Sequence, residues 1–340
     1  MSAKRSRRYR SMLARVFGGF FLLLALAVIA PAPEAAEPST IRIGVLQFGA
    51  VSWTLDTLKQ QGFDQSHNLK IEIVPMAAGN AAQIALQGGA VDMITSDWLW
   101  VARNRGDGRA YQFAPNSTSL GALYVRPDSG IHALADLRGR EFGVAGSPVD
   151  KSWLLLQAYA RKTSGLNLAK DAKPSFAAPP ALNELMLRNK LPAVLNFWPY
   201  GARLHAAGMT PLIDMRTILV DLGAEHGAPM VGWVFSEKWA QAHHDALLQF
   251  LDAVTETNNV LRNDDGEWQR LRPLMKADND ADFVALREAY RAGVVPSELK
   301  IDLPILRKLY ALLAAEGGEE LVGKGKTLDP QTFFGVEAKL

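Results

Sequence analysis

From residue 41 onward, short apolar runs alternate with segments of helical period. Ile41–Leu46 predicts a strand, and Ser52 caps a predicted helix from Trp53 to about Gln61. Leu69, Ile71 and Ile73 alternate with Lys70 and Glu72, which predicts a second strand with one wetter face. Asn80 then reads as the N-cap of a helix carried by Ala81, Ala82, Ile84, Ala85 and Leu86. Gly88-Gly89 falls where a left-handed C-cap belongs. Val91–Thr95 follows as a short buried strand, and Ser96-Asp97-Trp98 reads as the loop at its carboxyl end. Tyr111–Phe113 and Leu120–Arg126 are further strands.

A second series repeats this order. Glu141–Ala145 predicts a strand, Gly146-Ser147-Pro148 starts a helix running through Trp153 to about Thr163, and Ser175–Ala177 is a strand. Pro179–Asn189 reads as a helix, Leu191–Asn196 as a strand, and Phe197–Tyr200 as its terminal loop. Ser52-Trp53 and Trp98 recur as Ser152-Trp153 and Trp198, an offset of 100 residues. After the strand-like Met230–Phe235 the pattern turns helical, with one long helix from Ser236-Glu237 through Leu261 and others near Trp268–Met275, Asp282–Ala292 and Pro304–Ala315. Alternating strand and helix followed by helices alone predicts an α/β chain of two lobes with a helical C-terminal cover.

Composition changes this picture mainly at the N-terminus. Lys4, Arg5, Arg7, Arg8, Arg10 and Arg15 precede an apolar run over Val16–Ala30 and a Pro/Ala-rich stretch, the order of a secretory signal. The run is shorter than the ~20 residues that span a bilayer. Residues 1–36 are therefore expected to be a signal peptide and the mature chain periplasmic. They hold six basic side chains and one acidic, leaving 31 basic and 34 acidic in the mature chain, a formal charge of −3. That balance gives no case for nucleic-acid binding. The absence of cysteine excludes thiolate metal sites and thiol nucleophiles.

The stretches Ile41–Leu46, Asn80–Asp92 and above all Leu123–Val144 resemble the periplasmic solute-binding proteins of ABC importers, in the branch of nitrate, sulfonate/taurine and thiamine-pyrimidine binders. The chain departs from that pattern at Asn189–Ala193, where the family carries a Gly-x-Val-Asp-Ala-like turn and strand. The resemblance implies a type II-like two-lobed fold, with lobe one over 37–122 plus 233–340 and lobe two over 123–232. Hinge strands would lie near Leu120–Arg126 and Met230–Phe235. It further implies a monomer that closes on a small-molecule solute, delivers it to an inner-membrane permease, and uses no cofactor or metal.

Strand-end geometry nominates the cleft residues. Trp53, Trp98, Trp153 and Trp198 supply flat apolar walls, and Asn80, Ser96, Ser147 and Asn196 supply polar groups. Free N–H groups at helix starts favour an anion, whereas Asp97 and Asp150 among indoles favour an amine or ring N–H; a zwitterion or heterocyclic amine satisfies both. Each residue also has a purely structural reading: the tryptophans as core, Asp97 as a helix cap, Asp150 as a dipole partner. No catalytic constellation accompanies them. Gly325-Lys326-Thr327 lacks the first glycine of a phosphate loop, and Ser297-x-x-Lys300 lacks its partner motifs. An enzyme on the same fold and a periplasmic sensor subunit are the alternatives.

Overall fold

A computed structural model describes residues 37–47, 49–224, 228–296, 299–325 and 327–336. The proposed signal segment, Phe48, His226, Ser297 and Lys326 lie outside the described residues. The first series forms as β1 (Ser39–Leu46), α1 (Val51–Gln60), α2 (Phe63–Ser66), β2 (Leu69–Met76), α3 (Gly79–Gln87), β3 (Met93–Ser96), α4 (Trp98–Gly106) and β4 (Tyr111–Ser117). The second comprises β5 (Gly121–Val125), β6 (Glu141–Ala145), α5 (Lys151–Ser164), α6 (Leu168–Asp171), β7 (Lys173–Ala177), α7 (Pro179–Leu187), β8 (Ala193–Phe197), α8 (Trp198–Ala206), β9 (Thr210–Asp214) and α9 (Met215–Asp221). β10 (Val231–Ser236) then leads to α10 (Glu237–Ala242), α11 (His244–Asn263), α12 (Asp265–Met275), α13 (Asp280–Gly293) and α14 (Leu303–Val322).

Two mixed five-stranded sheets result, ordered β2-β1-β3-β10-β4 and β7-β6-β8-β5-β9. Within each, a parallel trio is extended by an antiparallel strand, β10 beside β3 and β5 beside β8. Ile41, Ile43, Ile71 and Met93 are buried in the first sheet, and Phe142, Val144, Val194 and Leu195 in the second. The trios correspond element for element at the offset seen in the sequence. That match reaches backbone detail. Gly89 takes a left-handed φ of 70° after α3, Asn189 takes 59° after α7, and each turn is closed by a bond back into its helix, Ala90 N–H to Ala85 O and Lys190 N–H to Leu185 O. Asparagine tolerates this conformation better than other non-glycine residues, which accounts for the chain's departure at Asn189.

The helix starts differ from expectation in informative ways. α1 begins at Val51 behind Ala50, and Ser52 lies inside it, its hydroxyl donating to Gly49 O. α3 begins at Gly79 behind Ala78, placing Asn80 second in the helix. Trp98 and Trp198 are not loop residues but the first residues of α4 and α8. The long C-terminal helix is divided at His243. The strands expected to cross between lobes each belong to a single sheet, β5 to the second and β10 to the first.

The C-terminal helices pack against both sheets' helices rather than one. α11 lies on α1, while α13 lies on α8. Arg203 and Arg216 donate to Met275 O and Ala292 O, tying the second sheet's helices to this cover. α14 lies against both α4 and α5, with Leu306, Leu309, Tyr310 and Leu313 buried in one apolar cluster that also contains Trp98, Leu154 and Trp153. Among the described residues no helix is long and apolar enough to cross a membrane.

Candidate functional site

In a parallel α/β sheet, strands stop and helices start along one edge, and free backbone N–H groups gather there. The carboxyl ends of β1, β2 and β3 form that edge in the first sheet, and those of β6, β7 and β8 form it in the second. Side chains from the two edges meet. Asp97, between β3 and α4, accepts the Trp100 N–H at 2.8 Å on Oδ1, and its Oδ2 lies 3.9 Å from Lys151 Nζ at the start of α5. Lys151 Nζ in turn sits 5.9 Å from the centre of the Phe197 ring. Asp150 caps α5, accepting the Ser152 N–H at 2.8 Å. Burial pushes its carboxyl above the ordinary range, with a smaller push from the Asp97 charge, against the pull of Lys151 and the cap bond.

A second contact between the edges is aromatic. The ring centres of Trp53 in α1 and Trp198 in α8 are 6.0 Å apart, edge to face. Trp268 and Tyr290, from the C-terminal helices, complete the group at 6.1 Å from Trp53 and 6.2 Å from Trp198 respectively. The Tyr290 hydroxyl lies 2.7 Å from Thr54 Oγ1 and donates to Asn258 Oδ1 at 3.2 Å. Burial raises its pKa to about 12, so it stays a phenol throughout the physiological range. Trp268 is fully buried and donates its indole N–H to Leu261 O.

The residues nominated from sequence divide into two groups. Asp97, Asp150 and Trp198 lie where the edges meet. Trp53 touches Trp198 there but is itself buried, packed among Trp198, Trp268 and Tyr290 as core rather than as an open wall. Ser96 is half-buried beside Asp97 and accepts from Gln83 Nε2 at 3.3 Å. Asn80, in the first turn of α3, and Ser147, in the loop after β6, are exposed, and Asn80 Oδ1 accepts the Ala81 N–H. The other three must be corrected. Trp98 is fully buried between Tyr310 and Phe333, because α14 covers the face of α4 on which it stands. Trp153 is buried between Phe142 and Phe176 in the second sheet's core. Asn196 is also buried, donating to Pro179 O and Asn183 Oδ1 while its own Oδ1 accepts the Phe197 N–H; it holds the β8–α7 connection together.

Three residues were missed. Lys151 adjoins Asp150 and could have been found as the cation at a capped helix start. Phe197 was visible in its aromatic loop. Tyr290 comes from a distant helix with no local signal.

The helix starts along the two edges are not capped alike. Asp97 and Asp150 already neutralise the starts of α4 and α5, whereas α1, α3 and α8 have no side-chain cap. Two carboxylates, one ammonium and aromatic rings therefore gather where the two edges meet, near uncapped helix ends. Among the described residues no cluster of three potential metal ligands exists. A concavity of about 1370 Å³ lies elsewhere, against residues 299–307 and 334–336, and its acidic residue Asp302 caps α14.

Comparison with solved structures gives the same architecture. The chain superposes on the alkanesulfonate-binding protein SsuA of Xanthomonas axonopodis pv. citri, bound to MOPS, with a TM-score of 0.67 and 18% identity, covering 88% of this chain and 99% of that one. The fold is that of a periplasmic binding protein. The periplasmic aliphatic sulphonate-binding protein SsuA of Escherichia coli is similar, with a TM-score of 0.66 and 17% identity over 85% of this chain and 95% of that one. Residues 57–170 match the NMT1/THI5-like family model, bearing out the resemblance drawn from the sequence. No curated protein sequence matches the chain. The fold is also found in a desulfurization enzyme, DSZB, at a TM-score of 0.56 and 16% identity over 84% of this chain and 95% of that one. Binding-protein architecture alone thus does not separate capture from catalysis.

Proposed function

We propose that this chain is the extracytoplasmic solute-binding subunit of an ABC-type importer, exported by residues 1–36, that captures one small organic solute between its two sheets. The observation that carries the reading is the meeting of the two carboxyl edges, by charge at Asp97 and Lys151 and by ring contact at Trp53 and Trp198. A solute that entered there would exchange contacts made between the edges for contacts made to itself. Binding would then be linked to the separation of the lobes, taken as 37–122 plus 233–340 and 123–232. A permease can respond to capture only if bound and free forms differ in this way. The relatives named as sulfonate-binding proteins support a solute with an anionic end, which the uncapped starts of α1, α3 and α8 suit. Asp97 and Asp150 call for an ammonium or ring N–H at the other end, and the Trp198 ring for a flat or apolar middle.

The enzyme reading, favoured only by the likeness to DSZB, requires a nucleophile or a general acid and base. The three charged groups at the crevice are used instead as two helix caps and a counter-ion. Isothermal titration of the protein with a panel of aminosulfonates, aminocarboxylates and heterocyclic amines tests the proposal. Saturable 1:1 binding with the compound recovered unaltered supports it. Conversion of a compound by the purified protein overturns it in favour of catalysis.

A further inference from the structure

Helix α13 ends against the chain that joins the two sheets. β4 in the first sheet passes to β5 in the second through residues 118–120. The last carbonyls of a helix have no partner within it, and here the crossover and the second sheet's helices supply them. Gly293 O accepts the Thr118 N–H at 3.0 Å, and the Ser117 and Thr118 hydroxyls at 3.3 and 3.4 Å. Ser119 Oγ donates to Ala289 O at 3.4 Å, and Arg216, exposed in α9, donates to Ala292 O at 2.9 Å. An arginine at that end also complements the helix dipole. Gly293 is buried, and its backbone lies too close to the crossover for any side chain. A Cβ there would overlap Ser119 Oγ and come within 2.8 Å of Ser119 Cβ.

One turn earlier, Tyr290 faces both sheets' helices. Its ring centre is 6.2 Å from that of Trp53 in α1 and 6.2 Å from that of Trp198 in α8. Trp198 in turn donates its backbone N–H to Leu120 O of the crossover at 3.2 Å. We propose that α13 is a strap that holds the two sheets in the arrangement seen here, so that moving them apart requires its release from residues 117–119. A short irregular segment between sheets absorbs a hinge motion by changing its φ and ψ. Bonds to the Gly293 and Ala289 carbonyls, and the close approach at Gly293, take that freedom away while α13 stays in place. The inference rests on the reading that the sheets separate to admit a solute, and it names what opposes the separation.

The chain has no cysteine, so spin labels at Ile84→Cys in α3 and Leu187→Cys in α7, both exposed, report the distance between the sheets by double electron–electron resonance. Without solute, the otherwise unaltered chain should give one narrow distance. Gly293→Ala should shift the distribution to longer, broader distances, because rotating the Ser119 hydroxyl away does not relieve the clash with its Cβ. Adding Ser119→Gly clears that space and should restore the narrow distance. Arg216→Gln, at an exposed position whose change leaves folding intact, should lengthen the distance to a smaller degree. A broad distribution in the unaltered chain, unchanged distances in folded Gly293→Ala or in Arg216→Gln, or a shift that Ser119→Gly does not reverse overturns the proposal. No solute enters the measurement, so its failure leaves the binding reading standing, and a failure to bind in the titrations leaves the strap untouched.

Discussion

The Asp97 carboxylate at the end of β3 lies 3.9 Å from Lys151 Nζ at the start of α5, so a charge contact joins two sheets that share no strand. Both side chains are mostly buried, at 24% and 15% exposure, which strengthens their interaction relative to a surface pair. Asp97 has a second duty as the cap of α4, and the two duties can be separated. An asparagine at this position would keep the cap, since asparagine caps as well as aspartate. Asp97→Asn should therefore leave the melting temperature within a few degrees of wild type while weakening an amine-bearing solute about tenfold or more. Calorimetry on the variant checks this, and tighter binding of the same solute would show that the carboxylate opposes it.

The paired tryptophans at 98 and 198 make a sharper contrast. Each is the first residue of a helix that leaves the third strand of its series. Trp98→Ala should cost about 3–5 kcal/mol of stability, the usual loss for a large buried aromatic, with little specific effect on affinity. Trp198→Ala should cost less stability and should remove most of the solute-dependent change in tryptophan fluorescence. Thermal unfolding and a fluorescence titration of both variants measure the difference.

That contrast also marks where the sequence stopped being informative. Hydrophobic period and turn residues made the two βαβαβα series legible, together with their common offset and the helical C-terminus. Local pattern also placed Asp97 and Asp150 at helix starts. It could not distinguish Trp98 from Trp198, because the two occupy equivalent positions and differ only in what covers them. The cover is α14, roughly 200 residues further along, and its packing against α4 leaves no trace around Trp98. Tyr290 escaped notice for the same reason. Asn196 misled in the opposite sense: a polar residue at a strand end looked available, but its hydrogen bonds are spent within the second sheet.

The raised Asp150 carboxyl carries a cost that can be read from pH. A carboxyl whose folded pKa exceeds the unfolded value near 3.8 keeps its proton longer in the folded chain. The unfolded state then gains relative stability as pH rises from 3.8 through the folded pKa. Asp150→Asn retains a capping oxygen and removes this cost, so its melting temperature should exceed wild type at pH 7. The gap should shrink as pH falls towards 3.8. A gap that stays constant with pH would show that the carboxyl is not perturbed by burial.

Glu267 behaves with the opposite sign. Burial alone would push its carboxyl up, but bonds from Arg270 and Thr57 hold it below the ordinary 4.5. The stability it contributes is present above that value and is lost as pH falls through the lower folded pKa. Arg270→Ala leaves a buried carboxylate short of its counter-ion. Because Arg270 is a third exposed, the expected cost at pH 7 is roughly 1–3 kcal/mol rather than the full value for a buried pair. Denaturant unfolding at pH 7 and pH 4 should show the variant's deficit diminishing in acid.

Native mass spectrometry of protein purified from its own cell envelope, followed by denaturing release, tests the central claim most directly. The account predicts one small organic molecule per chain, released intact and carried at much lower occupancy by Asp97→Asn and Trp198→Ala. Equal retention by those variants, or recovery of a chemically altered compound, would contradict it.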